Sequence, residues 1–188
     1  MTISTLDEKS ALLVVDLQKG IAGLPMAHPM ADVVASAVTL ADAFREHGLP
    51  VVLINADAAA PGRTEQARPN IPMPAGWTDF LPELRQQASD HVVTKRTWGA
   101  FTKTDLQAYL DQRGVTQVVI AGVATSAGVE STARHAHELG FNVALATDAM
   151  TDRSAEAHER SSKLIFPRIG ETGTSREIVE LLKSGRTA

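Results

Sequence analysis

Short apolar runs rich in Val, Ile and Leu recur along the chain and predict buried strands. Four of the five are almost uninterrupted, which is typical of parallel strands covered by helices on both faces. The run at 91–94 is the weakest of them. The five predicted strands span residues 11–15, 50–54, 91–94, 118–121 and 142–146.

Segments of helical periodicity separate these runs. The first has its apolar residues between Val33 and Phe44 and ends at Gly48, while 104–113 and 126–139 each end at a glycine before a strand. A last strand near 166–169 and a helix over 175–182 complete the pattern. We therefore predict one α/β domain over residues 1–188. Its expected form is a three-layer Rossmann-like sandwich of about six mostly parallel strands with helices on both faces.

The main interruption is the stretch 58–76, which contains Pro61, Pro69, Pro72 and Pro74. Its prolines and glycines exclude regular structure and predict a long surface loop. Such a loop could cover a site, or it could be an ordinary excursion or a subunit contact. The sequence leaves these alternatives open.

Charge and composition exclude several classes of function. The net charge of -4 comes without a basic run, so nucleic acid is not expected as a partner. No apolar run reaches the ~20 residues that span a bilayer, and the first residues lack the features of a secretory signal, so we expect a cytoplasmic protein that binds no membrane. The chain has no cysteine, which excludes disulfides and thiolate chemistry.

Candidate functional residues fall at the predicted carboxyl ends of strands. Asp16 follows the first strand, Lys95 follows the third, and the turn 122–128 follows the fourth. Ligands of parallel α/β sheets bind beyond these ends, near the point where the strand order reverses. We therefore expect these residues to converge on one pocket.

The chemistry of Asp16 and Lys95 depends on how they meet. Desolvation raises the pKa of a carboxyl group and suits it to general acid or base catalysis, whereas a nearby ammonium lowers that pKa and can orient an anionic substrate. A purely structural ion pair is the alternative for these two residues.

The turn after the fourth predicted strand suggests an anion site. Thr125 or Ser126 can cap the following helix, whose free N–H groups would face the same crevice, and Gly128 permits close approach of a ligand. Because GxGxxG and GxxxxGK[ST] are both absent, nucleotide binding is not supported. Ser126 and Ser131 lie outside a G-x-S-x-G elbow, so neither is predicted to be a nucleophile.

Histidines and aromatic residues add less. His135 and His137 are two positions apart on a helix and point in different directions, so they should not bind one metal together. Solvated or hydrogen-bonded roles are expected for His28, His47, His91 and His158. Trp98 and Phe101 could form an apolar wall of the pocket or pack in the core.

Several stretches resemble, in order, those of one known superfamily. They are 11–18 (ALLVVDLQ), Lys95, 100–101 (AF), 122–125 (GVAT), 129–132 (VEST), 147–149 (TDA) and 153–158 (RSAEAH). On these residues the chain resembles the isochorismatase-like hydrolases, which include nicotinamidases, other amidohydrolases and isochorismatases. The resemblance extends over nearly the full length.

This resemblance implies a site. In the cysteine members an Asp, a Lys and a Cys form the catalytic triad, which maps onto Asp16, Lys95 and Gly128. The resemblance also implies a cis peptide bond between Val123 and Ala124, beside backbone N–H groups that hold an oxyanion. We expect substrate or oxyanion contacts from Val123, Ala124, Thr125, Gln18, Trp98 and Phe101.

The isochorismatases proper resemble this chain in having glycine at the nucleophile position. They hydrolyse a vinyl ether: the Asp protonates the enolpyruvyl carbon, and water attacks the resulting oxocarbenium centre. Asp16 would be the acid, and Lys95 would orient a substrate carboxylate or adjust the pKa of Asp16. The chain departs from them at Ala124, where they have tyrosine, and at 95–99 (KRTWG), where they have Lys-x-Arg-Tyr-Ser.

We therefore expect a cofactor-free hydrolase of a small carboxylated molecule. The metal ligands that nicotinamidases carry after the second strand are not matched by 55–58 (NADA), so no metal is implied. A catalytically silent binding protein that kept the pocket after losing the thiol is the alternative, and a structural oligomer subunit is a third possibility. We expect a homo-oligomer, either a dimer or a tetramer.

Overall fold

Six parallel strands form one sheet. In the computed structural model, which describes residues 3–60, 62–65 and 73–185, they are β1 (Ser10–Val15), β2 (Val51–Ala56), β3 (His91–Lys95), β4 (Gln117–Val123), β5 (Asn142–Thr151) and β6 (Glu171–Gly173). Their order is β3-β2-β1-β4-β5-β6, and every pairing is parallel. The predicted α/β class with about six mostly parallel strands is confirmed.

Helices cover both faces of the sheet. They are α1 (Lys19–Ala22), α2 (Met30–Glu46), α3 (Leu106–Gln112), α4 (Glu130–Glu138), α5 (Ala155–Arg160) and α6 (Ser175–Ser184). Apolar residues of α2 and α6, such as Phe44 and Ile178, pack on one face, and those of α3 and α4, such as Leu110 and Ala133, pack on the other. The three layers follow from burying both faces of the sheet.

The burial of each strand reflects its position in the sheet. All residues of β1 and β4 are buried, because these strands lie in the centre and helices cover them on both sides. In β3 the burial alternates, since this strand forms an edge. This explains why 91–94 gave the weakest apolar pattern.

The last strand lies elsewhere than predicted. Residues Phe166–Arg168 form a 3₁₀ turn, and β6 begins at Glu171. Pro167 has no N–H to give to a sheet ladder and a fixed φ that suits a helical turn, while Phe166 is fully buried in the core. The apolar character of this stretch therefore comes from core packing. Of the predicted loop 58–76, residues 61 and 66–72 lie outside the described residues.

The strand order reverses between β1 and β4. From β1 the chain proceeds outward to β2 and β3, then returns to place β4 on the other side of β1. Adjacent strand ends leave a crevice at such a switch point, and this is where α/β proteins of this kind bind ligands. Asp16 directly follows β1, and the turn after β4 lies beside it.

Candidate active site

Asp16 and Lys95 form a buried ion pair at the carboxyl end of the sheet. Asp16 follows β1, and Lys95 is the last residue of β3. Lys95 Nζ donates to Asp16 Oδ2 at 2.8 Å and to the carbonyl oxygen of Thr97 at 3.2 Å. The Lys95 side chain is 3% exposed and that of Asp16 7%. The fold thus brings together two groups that are 79 positions apart.

The pKa of the Asp16 carboxyl group is raised toward neutral pH. Burial raises its pKa from the ordinary 3.8 to about 6, against the opposing effects of the Lys95 charge and hydrogen bond. Oδ2 is bound by Lys95, whereas Oδ1 is buried without a hydrogen-bond partner among the described residues. A carboxyl group with a pKa near neutrality and one unpaired oxygen is suited to proton transfer.

Gly128 lies beside this carboxyl group. It belongs to a π-helical turn, Thr125–Val129, that joins β4 to α4. A Cβ at position 128 would lie 3.1 Å from the Val123 carbonyl oxygen, 3.1 Å from Val15 Cγ1 and 3.2 Å from Asp16 Oδ2. These separations are shorter than ordinary carbon contacts. The turn therefore approaches Asp16 so closely that any side chain would require a shift.

The peptide bond between Val123 and Ala124 is cis, as the resemblance implies. Two of the N–H groups that follow are already used. Ser126 donates its N–H to Asp152 Oδ2 at 2.7 Å, and Ala127 donates to the Ala124 carbonyl at 3.1 Å. The N–H groups of Ser126 and Ala127 are therefore not free to bind an anion.

Asp152, which sequence reasoning missed, caps this turn. We expected Thr125 or Ser126 to provide the cap, but Asp152 Oδ2 accepts both the N–H and the hydroxyl of Ser126, at 2.7 and 2.8 Å. Its carboxylate takes up the Ser126 N–H, so this donor is not free for a substrate anion. Asp152 directly follows β5 and is 5% exposed. The signal that identified Asp16, a carboxylate directly after a predicted strand, was not available for Asp152, because the predicted strand ended at residue 146 and β5 extends to Thr151.

Two histidines lie next to the turn. The ring centroids of His28 and His158 are 4.7 Å apart. Nδ1 of His28 lies 2.9 Å from Thr151 Oγ1, and Nδ1 of His158 lies 2.9 Å from Thr125 Oγ1. Burial, and then the neighbouring His28, lowers the pKa of His158. Both histidines therefore form hydrogen bonds, and the one from His158 takes up the hydroxyl of Thr125.

The remaining predicted contacts lie in different settings. Phe101 is 6% exposed and packs in the core, 6.1 Å from Phe141 between ring centroids, whereas Trp98 is 61% exposed. Gln18 is fully buried, and its amide is bound to the backbone of Ala56 and Trp77. The structure therefore brings Asp16, Lys95, Gly128 and the cis peptide together, while the Gln18 amide is bound to backbone groups and Phe101 packs in the core.

The described residues contain neither a metal site nor a membrane span. Within residues 3–60, 62–65 and 73–185, no three His, Asp or Glu side chains are grouped to hold a metal ion. Over the same part of the chain, none of the helices combines the length and the apolar composition that a bilayer crossing requires.

Comparison with known proteins gives a consistent family. The isochorismatase domain model matches residues 10–177. The uncharacterized isochorismatase family protein YwoC of Bacillus subtilis is 43% identical over 183 residues, which cover 94% of this chain and 95% of that protein. Nicotinamidase 3 of Arabidopsis thaliana is 33% identical over 157 residues, covering 80% and 77%. A solved isochorismatase family protein from Burkholderia thailandensis superposes with a TM-score of 0.92 at 39% identity, covering 97% of this chain and all of that one.

The fold and the site define a parallel α/β hydrolase whose acidic and basic residues meet at the switch point of the sheet. With the family model matching most of its length, the chain belongs to the isochorismatase family.

Proposed function

We propose that this protein hydrolyses an enol ether of a small carboxylated molecule, with Asp16 as the general acid and no covalent nucleophile. The observation that carries this proposal is the state of the Asp16 carboxyl group. It is buried, its pKa is about 6, and Oδ1 has no hydrogen-bond partner among the described residues. A carboxyl oxygen that the ion-pair partner leaves unbound is available for proton transfer to a substrate.

The reaction begins with proton transfer from Asp16 to the terminal carbon of the enol double bond. That carbon gains a C–H bond, and the ether carbon becomes an oxocarbenium centre. Water adds to this centre and gives up a proton that restores Asp16. The resulting hemiketal then breaks its C–O bond, releasing an alcohol and a keto compound. No step needs a thiol, which agrees with glycine at position 128 and the absence of cysteine.

Lys95 stabilises the aspartate that forms when the proton leaves. Its Nζ lies 2.8 Å from Oδ2, and both side chains are almost fully buried. In such an environment an ammonium stabilises a nearby anion more than it would in water. Because Lys95 is the cation of the site, it also favours a substrate that carries a carboxylate. The N–H groups of Ala124 and Thr125, beside the cis peptide, are candidate donors to that carboxylate.

The test is a release assay on purified protein. Enolpyruvyl ethers of small carboxylated alcohols are incubated with the wild type, Asp16→Asn and Lys95→Met, and pyruvate is measured by a coupled lactate dehydrogenase reaction. General acids contribute about 10²- to 10⁴-fold, so a loss of that size is expected for Asp16→Asn. Because the protonated form is active, kcat/KM is expected to fall about tenfold per pH unit above about pH 6. A full rate in Asp16→Asn refutes the mechanism.

A binding protein without turnover is the second candidate. The matches to a nicotinamidase and to the maleamate amidohydrolase of Pseudomonas putida, 28% identical over 186 residues, favour an amide-shaped ligand. The resemblance implies that the cysteine members attack amides with a thiol, and this chain has no thiol. Small amides that raise the unfolding temperature without release of ammonia would support this candidate over the enol ether.

A further inference from the structure

The amide of Gln18 holds two separate parts of the chain. Gln18 lies two residues after Asp16 and is fully buried. Its Oε1 accepts the N–H of Ala56 at 2.7 Å, and its Nε2 donates to the carbonyl oxygens of Ala56 and Trp77, both at 3.0 Å. One side chain therefore joins the segment after Asp16 to the end of β2 and to Trp77. All of these partners are backbone groups.

Backbone contacts extend this connection. The segment 77–81 runs beside 17–20, and Gly20 packs under the Trp77 ring. A Cβ on Gly20 would lie 2.1 Å from that ring, so any side chain there would require the ring to move. The backbone hydrogen bonds are from Leu81 to Leu17 at 3.1 Å, from Lys19 to Asp79 at 2.9 Å and from Gly20 to Trp77 at 3.1 Å.

Asp16 itself has an unusual backbone. Its φ is +53°, in the left-handed region where a Cβ comes too close to the backbone. Such a conformation persists only where its surroundings fix it on both sides. Before the turn, the Asp16 N–H donates to the Ile54 carbonyl at 2.8 Å. After the turn, the Leu17 side chain is buried in the core, and Gln18 is the first residue whose side chain forms hydrogen bonds to other segments.

We propose that Gln18 is a positioning residue, whose amide holds Asp16 in the left-handed conformation that directs its carboxyl group to Lys95. This inference rests on the proposed function, in which Asp16 is the acid. The three bonds require two N–H donors and one acceptor on the same group, which an amide provides. Glutamate at this position keeps the acceptor but sets a carboxylate against two carbonyl oxygens. Methionine keeps the approximate shape and loses all three bonds.

The experiment measures the titration of Asp16 by carboxyl ¹³C NMR, without substrate. The Asp16 signal is identified by its loss in Asp16→Asn. In Gln18→Met the turn is expected to relax and admit water to the carboxyl group, which lowers the titration midpoint by at least about one pH unit toward the ordinary value of aspartate. Gln18→Leu, which also removes all three bonds and adds no charge, is expected to shift it in the same direction. The matched control is Lys19→Met, which removes a neighbouring exposed ion pair with Asp79 and should leave the midpoint unchanged.

A purely structural role gives a different result. If Gln18→Met unfolds at a lower temperature but its Asp16 titrates as in the wild type, the proposal is wrong. If Gln18→Met does not fold, the Gln18→Leu titration decides in the same way, and failure of both to fold assigns the amide to stability alone and also refutes the proposal. Because no substrate enters the measurement, its outcome is independent of whether enol ether hydrolysis is found.

Discussion

Replacing Asp16 with Asn is expected to change how the stability of the protein depends on pH. In the folded protein burial raises the pKa of Asp16 from 3.8 to about 6. Between these values the folded state binds more protons than the unfolded chain, so the free energy of unfolding falls as pH rises through this range. The difference between the two pKa values corresponds to a loss of about 3 kcal/mol in the free energy of unfolding from low pH to neutral pH. About 2 kcal/mol of this loss falls between about pH 4.5 and about pH 8.

The assay is urea denaturation of the wild type and Asp16→Asn across this pH range, followed by tryptophan fluorescence. The difference between the two proteins at each pH removes the contribution of other titrating groups. Wild type should lose about 2 kcal/mol relative to the variant as pH rises. The matched control is Asp79→Asn, because Asp79 pairs with Lys19 at 2.9 Å but its side chain is 53% exposed. An exposed pair contributes only about 0–1 kcal/mol, so this control should show little pH dependence.

One result would refute this reasoning. The free energy of unfolding of the wild type could instead stay constant, or rise, relative to that of Asp16→Asn as pH increases. In that case burial does not dominate the pKa of Asp16. The general-acid mechanism would then lack its physical basis.

Three further changes test the neighbourhood of the site. Gly128→Ala is expected to lower the free energy of unfolding by about 1–3 kcal/mol, since its Cβ would crowd Val123, Val15 and Asp16. A free energy of unfolding equal to that of the wild type, measured by urea denaturation, would contradict these contacts. Asp152→Ala should cost about 1–2 kcal/mol through loss of the cap on Ser126, measured by thermal unfolding, with Asp152→Asn as the milder control. Gly20→Ala should displace the Trp77 ring and change its fluorescence emission. The spectrum is measured in a Trp98→Phe background, where Trp77 is the single tryptophan. An unchanged spectrum would argue against the packing of Gly20 on this ring.

Local sequence predicted most of the fold. Apolar runs marked β1, β2, β4 and β5 because a central parallel strand must be apolar on both sides, and glycines marked the helix ends because they tolerate the left-handed conformation there. The rule that parallel strands gather their carboxyl ends at one edge was enough to predict that Asp16, Lys95 and the turn at 122–128 converge. The exception was β6, where an apolar run proved to be a core-packed turn.

Contacts between distant residues could not be predicted in this way. Apolar periodicity predicts which face of a helix or strand is buried. It does not predict which polar groups will form hydrogen bonds with each other. The cap on Ser126 comes from Asp152, 26 positions away, and the partner of Gln18 lies 38 positions away at Ala56. A sequence motif suggested caps from within the turn, since that is where local rules look for them.

Sequence by itself determined the class of fold, the lack of a thiol and the acidic and basic residues at the strand ends, because these depend on residue type and local period. The tertiary structure alone decided how far Asp16 is removed from water, which of its oxygens is left unpaired and how closely the turn at Gly128 approaches it. Those properties set the proton affinity of the carboxyl group, and they arise from packing among parts of the chain that no local pattern connects.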